Sequence, residues 1–177
     1  MTRGRTHYTE PAETELVTVG RYRQTGRAVK LRSDAARALL ELMARARSDG
    51  VAIIPISGFR TVAYQEMLFQ KAMVKYGSED AAVRWVGRPG RSEHHTGLVV
   101  DLGEEESPAC DVEPPFAETR AFRWLQDHAA RFGFELSYPQ DNPQGVHYEP
   151  WHWRFVGTPA ARQVFHSALR TPHSALA

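Results

Sequence analysis

The sequence predicts an α+β domain, a small and mainly antiparallel sheet flanked by helices. Three observations lead there. Apolar residues recur at helical spacing over 33–50, 61–77 and 117–133. Two short apolar runs, VAIIPIS (51–57) and GLVVDLG (97–103), have the length of strands. Three aromatic-rich candidates, FELSY (134–138), GVHY (145–148) and WHWRFV (151–156), follow one another closely, which favours antiparallel pairing.

In chain order, residues 1–15 read as a loose N-terminal arm rich in Thr, Glu and Arg, and 16–177 as a single domain. Ser33 or Asp34 can cap the first helix, Leu39, Leu42, Met43 and Ala46 mark its apolar side, and Gly50 can end it. Pro55 cannot donate to a ladder, so the strand at 51–57 belongs at an edge or bulges there. The second helix carries Tyr64, Leu68, Phe69 and Met73 on one side, and a short third helix spans 78–87. The stretch 103–116 is the expected mobile surface loop. The helix at 117–133 turns Phe122, Leu125, Ala129 and Phe132 inward and stops at Gly133. Thr158 and Pro159 have the form of a cap and first position for a last short helix.

Composition narrows the function classes. The 177 residues suffice for one domain with a real core, and 42% hydrophobic with 24% charged residues is ordinary globular usage. With 22 basic and 21 acidic side chains there is no basic excess to track a nucleic acid, so none is expected as a partner. The lone Cys110 permits neither an intrachain disulfide nor a cysteine zinc knot. No apolar run is long enough to span a bilayer, and the polar N-terminus lacks the apolar centre of a signal peptide. The expectation is a soluble monomer, working in the cell envelope or periplasm if an export segment has been removed, and otherwise in the cytoplasm.

Three segments can carry chemistry. In SEHHTGLVVD (92–101), a turn at Gly97 can bring His94 and Asp101 together. Zinc accepts imidazole nitrogen and carboxylate oxygen, commonly with three protein ligands at a catalytic site. A surface pair is the plainer reading of those two residues alone. In EPWHWR (149–154), Glu149 stands three residues before His152. A strand would send the two to opposite faces, so Pro150 must bend the chain if they share a site. The alternative is an aromatic structural strand with a salt-bridged glutamate. In SGFRT (57–61), Arg60 at a strand-to-helix junction can reach over the sheet edge or lie in solvent.

Together, SGFR with the following YQ and LF, GRPGRSEHHTGLVVDLG and YEPWHWRFVG resemble the D-alanyl-D-alanine carboxypeptidases of the VanY type, from about residue 51 to 157. These are zinc peptidases sharing a fold with lysostaphin-type enzymes and the hedgehog domain, with a signature Ser-x-His-x-x-Gly-x-Ala-x-Asp followed by Glu-x-Trp-His. The resemblance implies one zinc held by His94, Asp101 and His152, with Glu149 as catalytic base and Arg60 polarising the scissile carbonyl. It places Ser92 and Gln65 along the substrate cleft. Two departures stand out: Val99 replaces the usual alanine, and His95 stands where glutamine is frequent, adding a possible decoy ligand. His147 reads as a structural or cleft histidine. The implied activity is removal of the terminal D-alanine from peptidoglycan stem peptides. An L,D-carboxypeptidase, a D-Ala-D-Ala dipeptidase, a wall endopeptidase and a catalytically silent wall-binding module are the alternatives. A carboxypeptidase must also read a free carboxylate, for which Arg60, Arg88, Arg91 and Arg154 are the nearby cations.

Overall fold

The computed structural model describes residues 6–169, with side chains through Phe165. Its main sheet has four strands in the order β3–β4–β6–β5, every neighbouring pair antiparallel: β3 (Ile53–Ser57), β4 (Val99–Glu104), β5 (Phe134–Leu136) and β6 (His152–Phe155). β3 is an edge strand, and its register slips between Pro55 and Ser57. Both outcomes follow from the missing N–H of Pro55. β4, buried along its whole length, lies at the centre.

A second sheet was not apparent from the sequence. β1 (Leu16–Arg21) and β2 (Ala28–Arg32) form an antiparallel hairpin with a bulge between Thr18 and Gly20. Of its side chains only Val19, Val29 and Leu31 are buried, so the alternation that marks a strand is thin. The hairpin packs on the irregular edge of β3: a Cβ on Gly20 would stand 2.8 Å from Pro55 Cγ. An edge covered in this way is not left open to another chain.

The helices lie where expected, but α1 (Ser33–Ser48) lacks its expected cap: Arg32, and neither Ser33 nor Asp34, takes the cap position, with no capping side-chain hydrogen bond. α1 buries Ala35, Ala36, Leu39, Leu42 and Ala46, and the chain leaves it through Gly50 at φ 78°. The Thr61 hydroxyl accepts from the Tyr64 N–H to cap α2 (Val62–Tyr76), and Gly77, at φ 80°, ends it. The short α3 (Glu79–Ala82) packs on α2 through Phe69, Ala72, Ala82 and Val83, apart from the main core. Thr119 caps α4 (Arg120–His128), which tightens into a 3-10 turn before Gly133. Thr158 caps α5 (Pro159–Leu169). Among the described residues no helix is long and apolar enough to cross a membrane.

Three segments differ from the sequence reading. GVHY forms no strand; the Asn142 side chain, bonded to the Pro139 and Val146 carbonyls and the Val146 N–H, shapes that loop instead. The stretch 103–116 folds into 3-10 turns at Pro108–Cys110 and Pro114–Glu118. It is tied down by Arg23 to Asp111 (2.9 Å) and by Glu104, which accepts from the Ser107 hydroxyl and the Ala121 N–H. Residues 6–15 of the expected loose arm lie against the domain: the Tyr8 N–H donates to the Gly90 carbonyl (2.9 Å), and Glu10 accepts from the Val62 N–H at the start of α2 (2.6 Å). The last two depend on partners distant in sequence, Arg23 for Asp111 and Gly90 and Val62 for the arm, which local patterning does not show.

Candidate metal centre

The register of the main sheet builds most of the site. Ser57 on β3 pairs with Asp101 on β4, and Asp101 pairs with His152 on β6, so three polar side chains lie in a row across the sheet. Directly opposed residues of antiparallel strands point to the same face. His94 arrives from a 3-10 turn, Glu93–Thr96, which Gly97 closes at φ 68°. Its Nδ1–H donates to the Gly58 carbonyl (2.7 Å), leaving Nε2 to face Asp101 Oδ2 at 3.3 Å.

Pro150 supplies the required bend. The His152 N–H donates to the Glu149 carbonyl (3.1 Å) across a turn with Pro150 at its second position, where the fixed φ of proline is favourable. The bend brings a Glu149 carboxylate oxygen to 3.5 Å from His152 Nδ1. That nitrogen is also 3.2 Å from Asp101 Oδ1. One ligand atom from each of His94, Asp101 and His152 lies within 4.8 Å of the others, and all three residues are buried. Asp101 Oδ1 finds no well-aligned hydrogen-bond donor. Two imidazoles, one carboxylate and a buried, under-satisfied oxygen suit a zinc ion with a position left over for water or substrate. The decoy is excluded by geometry: the Nε2 of His95 accepts from the Gly90 N–H (3.1 Å) and its Nδ1–H donates to the Arg60 carbonyl (2.7 Å), so neither nitrogen faces the site.

Arg60 is held by two side chains. Its Nε donates to the Ser57 hydroxyl (2.9 Å) and one terminal nitrogen contacts Asp101 Oδ2 (2.5 Å). It therefore braces a candidate ligand as well as lining the cleft. Ser92 lines the same cleft, whereas Gln65 is fully buried behind its wall, donating to the Gly87 carbonyl (2.8 Å). The other three arginines near the motifs are not among the lining residues; Arg88 pairs with Glu79 and Arg154 with Glu93 and Glu135. The second cation on the cleft is Lys75. The cleft holds about 400 Å³, and Tyr76, Trp85, Val86 and Val112 add an apolar wall. His147 stacks on Trp85 (centroids 4.1 Å apart). A larger surface depression of about 560 Å³ beside α1 gathers no comparable set of ligating side chains among the described residues.

The residue that motif reading passed over is Glu93. It is buried, with Oε2 at 3.1 Å from His152 Nε2 and Oε1 at 3.3 Å from Arg154. Next to two histidines in a polar stretch it carries no sequence signal of its own. Electrostatics separate the two histidines. Burial, aided by the Arg60 charge, pushes His94 down to about 4. Burial opposes the charge on His152 too, but hydrogen bonds to Asp101 and Glu93 outweigh it and hold this residue up at about 9. Burial raises the carboxyls of Glu93 and Asp101, yet their cationic neighbours prevail. His152 and Arg154 keep Glu93 at about 2, and His94 with Arg60 holds Asp101 well below the usual carboxylate range.

Similarity to known proteins bears on its identity. A D-alanyl-D-alanine carboxypeptidase of Enterococcus faecalis is 36% identical over 141 residues, 74% of this chain and 50% of that protein. This chain thus spans about half the length of that relative. An LD-carboxypeptidase, LdcB, whose structure concerns peptidoglycan recognition, superposes with a TM-score of 0.74 at 30% identity, covering 89% of this chain and 75% of LdcB. The D,D-pentapeptidase VanY from a VanB-type vancomycin resistance cassette, solved with Zn(II), superposes at 0.67 with 30% identity, covering 94% of this chain and 92% of that one. Residues 28–158 match the VanY family, D-alanyl-D-alanine carboxypeptidase, and the chain belongs to that family.

Proposed function

We propose that this chain is a zinc D,D-carboxypeptidase that removes the terminal D-alanine from peptidoglycan stem peptides ending in D-Ala-D-Ala. The observation that carries this reading is the buried cluster of His94, Asp101 and His152, with Glu149 Oε2 beside it, opening on a cleft. A zinc ion held by those three side chains supplies a Lewis acid that acidifies a water and polarises a carbonyl.

The chain's own groups do the rest. Glu149 takes a proton from the water that adds to the scissile carbonyl carbon, and returns it to the amine as the C–N bond breaks. Water is thereby divided between the new carboxylate and the released D-alanine. Asp101 and Ser57 fix the plane of the Arg60 guanidinium, whose remaining donors serve the oxygen on which charge develops. Lys75 and the Ser92 hydroxyl are the groups on the cleft suited to the free substrate carboxylate, since burying that charge unpaired is costly. Hydrolysis of wall peptides favours the cell envelope over the cytoplasm as the site of action; recovery in the cytoplasmic fraction would refute that part of the reading.

The test is mass spectrometry of defined muropeptides after incubation with the zinc-loaded protein. Release of one D-alanine from a pentapeptide, and little cutting once its terminal carboxylate is amidated, is the expected result. Equal cleavage of the amidated peptide points instead to an endopeptidase. The likeness to LdcB favours an L,D-carboxypeptidase as second reading. That reading requires release of D-alanine from tetrapeptides and not from pentapeptides.

A further inference from the structure

We propose that Glu93 is a positioning residue for the metal ligand His152, its carboxylate accepting a hydrogen bond from the Nε2–H so that Nδ1 presents its lone pair to the metal. An imidazole has two nitrogens, and the hydrogen bond made by one settles which of them binds. The two histidines of this site solve the problem in opposite ways. His94 gives its Nδ1–H to a backbone carbonyl, that of Gly58, and turns Nε2 inward. His152 turns Nδ1 inward, toward Asp101 and Glu149, and its Nε2 meets the Glu93 carboxylate at 3.1 Å. Among the described residues no backbone carbonyl plays this part for His152; a buried charged side chain does.

The surroundings of Glu93 fit that task. The residue is 5% exposed, so its charge needs a partner inside the protein. Arg154 provides one, at 3.3 Å from the other carboxylate oxygen, and is itself anchored by Glu135 at 2.6 Å on the neighbouring strand. The alternation of β6 sets His152 and Arg154 on one face, so Glu93 reaches both with its two oxygens. Tyr138 packs against the His152 ring, 4.8 Å between centroids, and limits its rotation. The chain Glu135–Arg154–Glu93 alternates in charge and runs from the surface to the His152 imidazole.

The inference rests on the reading that the site holds zinc. It is tested on the zinc-loaded protein by chelator competition, with thermal melting to verify folding. Glu93→Ala is expected to weaken zinc binding by about 10- to 100-fold. Glu93→Gln, which keeps an acceptor for the Nε2–H but sets an amide against Arg154, is expected to lose less. Folded variants that bind zinc as tightly as the unaltered chain overturn the positioning role alone. An unaltered chain that takes up no zinc overturns the zinc reading instead. Should both variants fail to fold, a long-range 15N–1H correlation spectrum of the zinc-loaded unaltered protein decides. The proposal requires a proton on Nε2 of His152, and a proton on Nδ1 with metal on Nε2 refutes it.

Discussion

Gly58 links the stability of the domain to its metal site, and Gly58→Ala tests that link. The chain turns from β3 into α2 by passing close over β2, where the Phe59 N–H donates to the Lys30 carbonyl (2.7 Å). A Cβ on Gly58 would overlap the Lys30 carbonyl oxygen and lie 3.1 Å from Val29 Cγ1 and 3.2 Å from the Lys30 carbonyl carbon. The obstacle is backbone, which cannot swing aside, so the turn must shift by roughly 1 Å to regain contact distance. Overpacking of this kind costs about 1 to 3 kcal/mol. For a domain of this size that lowers Tm by about 2 to 12 °C. The same shift moves the Gly58 carbonyl that orients His94 and the Arg60 backbone two residues on, so zinc affinity should fall about tenfold or more. Melting curves with and without zinc, together with chelator competition, measure both effects. Gly26→Ala is the control. Gly26 has φ 68° and open space around it, so the change should cost about 1 kcal/mol of backbone strain and leave zinc affinity unaltered. A Gly58→Ala protein with unchanged Tm and unchanged affinity would refute the reasoning.

Glu149→Gln should retain zinc, measured by metal analysis, and lose about 10²- to 10⁴-fold in kcat; full activity would remove Glu149 from the mechanism. Arg60→Lys keeps the charge but not the fork that spans Ser57 and Asp101, so kcat should fall by about 10²-fold or more, read from D-alanine release. Zinc uptake near pH 7 should release about one proton, because metal-free His152, held up at about 9, is protonated there and His94, at about 4, is not. Calorimetry in buffers of different ionisation enthalpy reads this, and apparent affinity should rise with pH and level off above about 9. The folded pKa of His152 lies above its unfolded value of roughly 6.5. Its contribution to metal-free stability is therefore complete below about 6.5 and lost as pH rises through about 9, and the metal-free Tm should fall across that window. Thr119→Ala removes the hydroxyl that accepts from the Phe122 N–H (3.1 Å), and should cost about 1 kcal/mol in chemical denaturation.

The sequence by itself determined what is local. The helix at 33–48 and its exit at Gly50, the cap at Thr158, and the irregularity at Pro55 follow from φ preferences, a side-chain hydroxyl and a missing N–H within a few residues. The ligand set was legible through the family resemblance, and local geometry only permits it: the turn at Gly97 lets His94 and Asp101 meet, and the bend at Pro150 does the same for Glu149 and His152. Tertiary structure alone decided the rest. The pairing of Asp101 with His152, 51 positions later, sets which nitrogen faces the site, and Glu93 reaches that ring from 59 positions away. Arg60, expected over the substrate, also grips Asp101. The hairpin at 16–32 exists because it covers the β3 edge, and its own alternation is too weak to announce it. Which side chains meet across strands depends on register, and register is fixed by packing of the whole sheet against its helices, a quantity no short window of sequence contains.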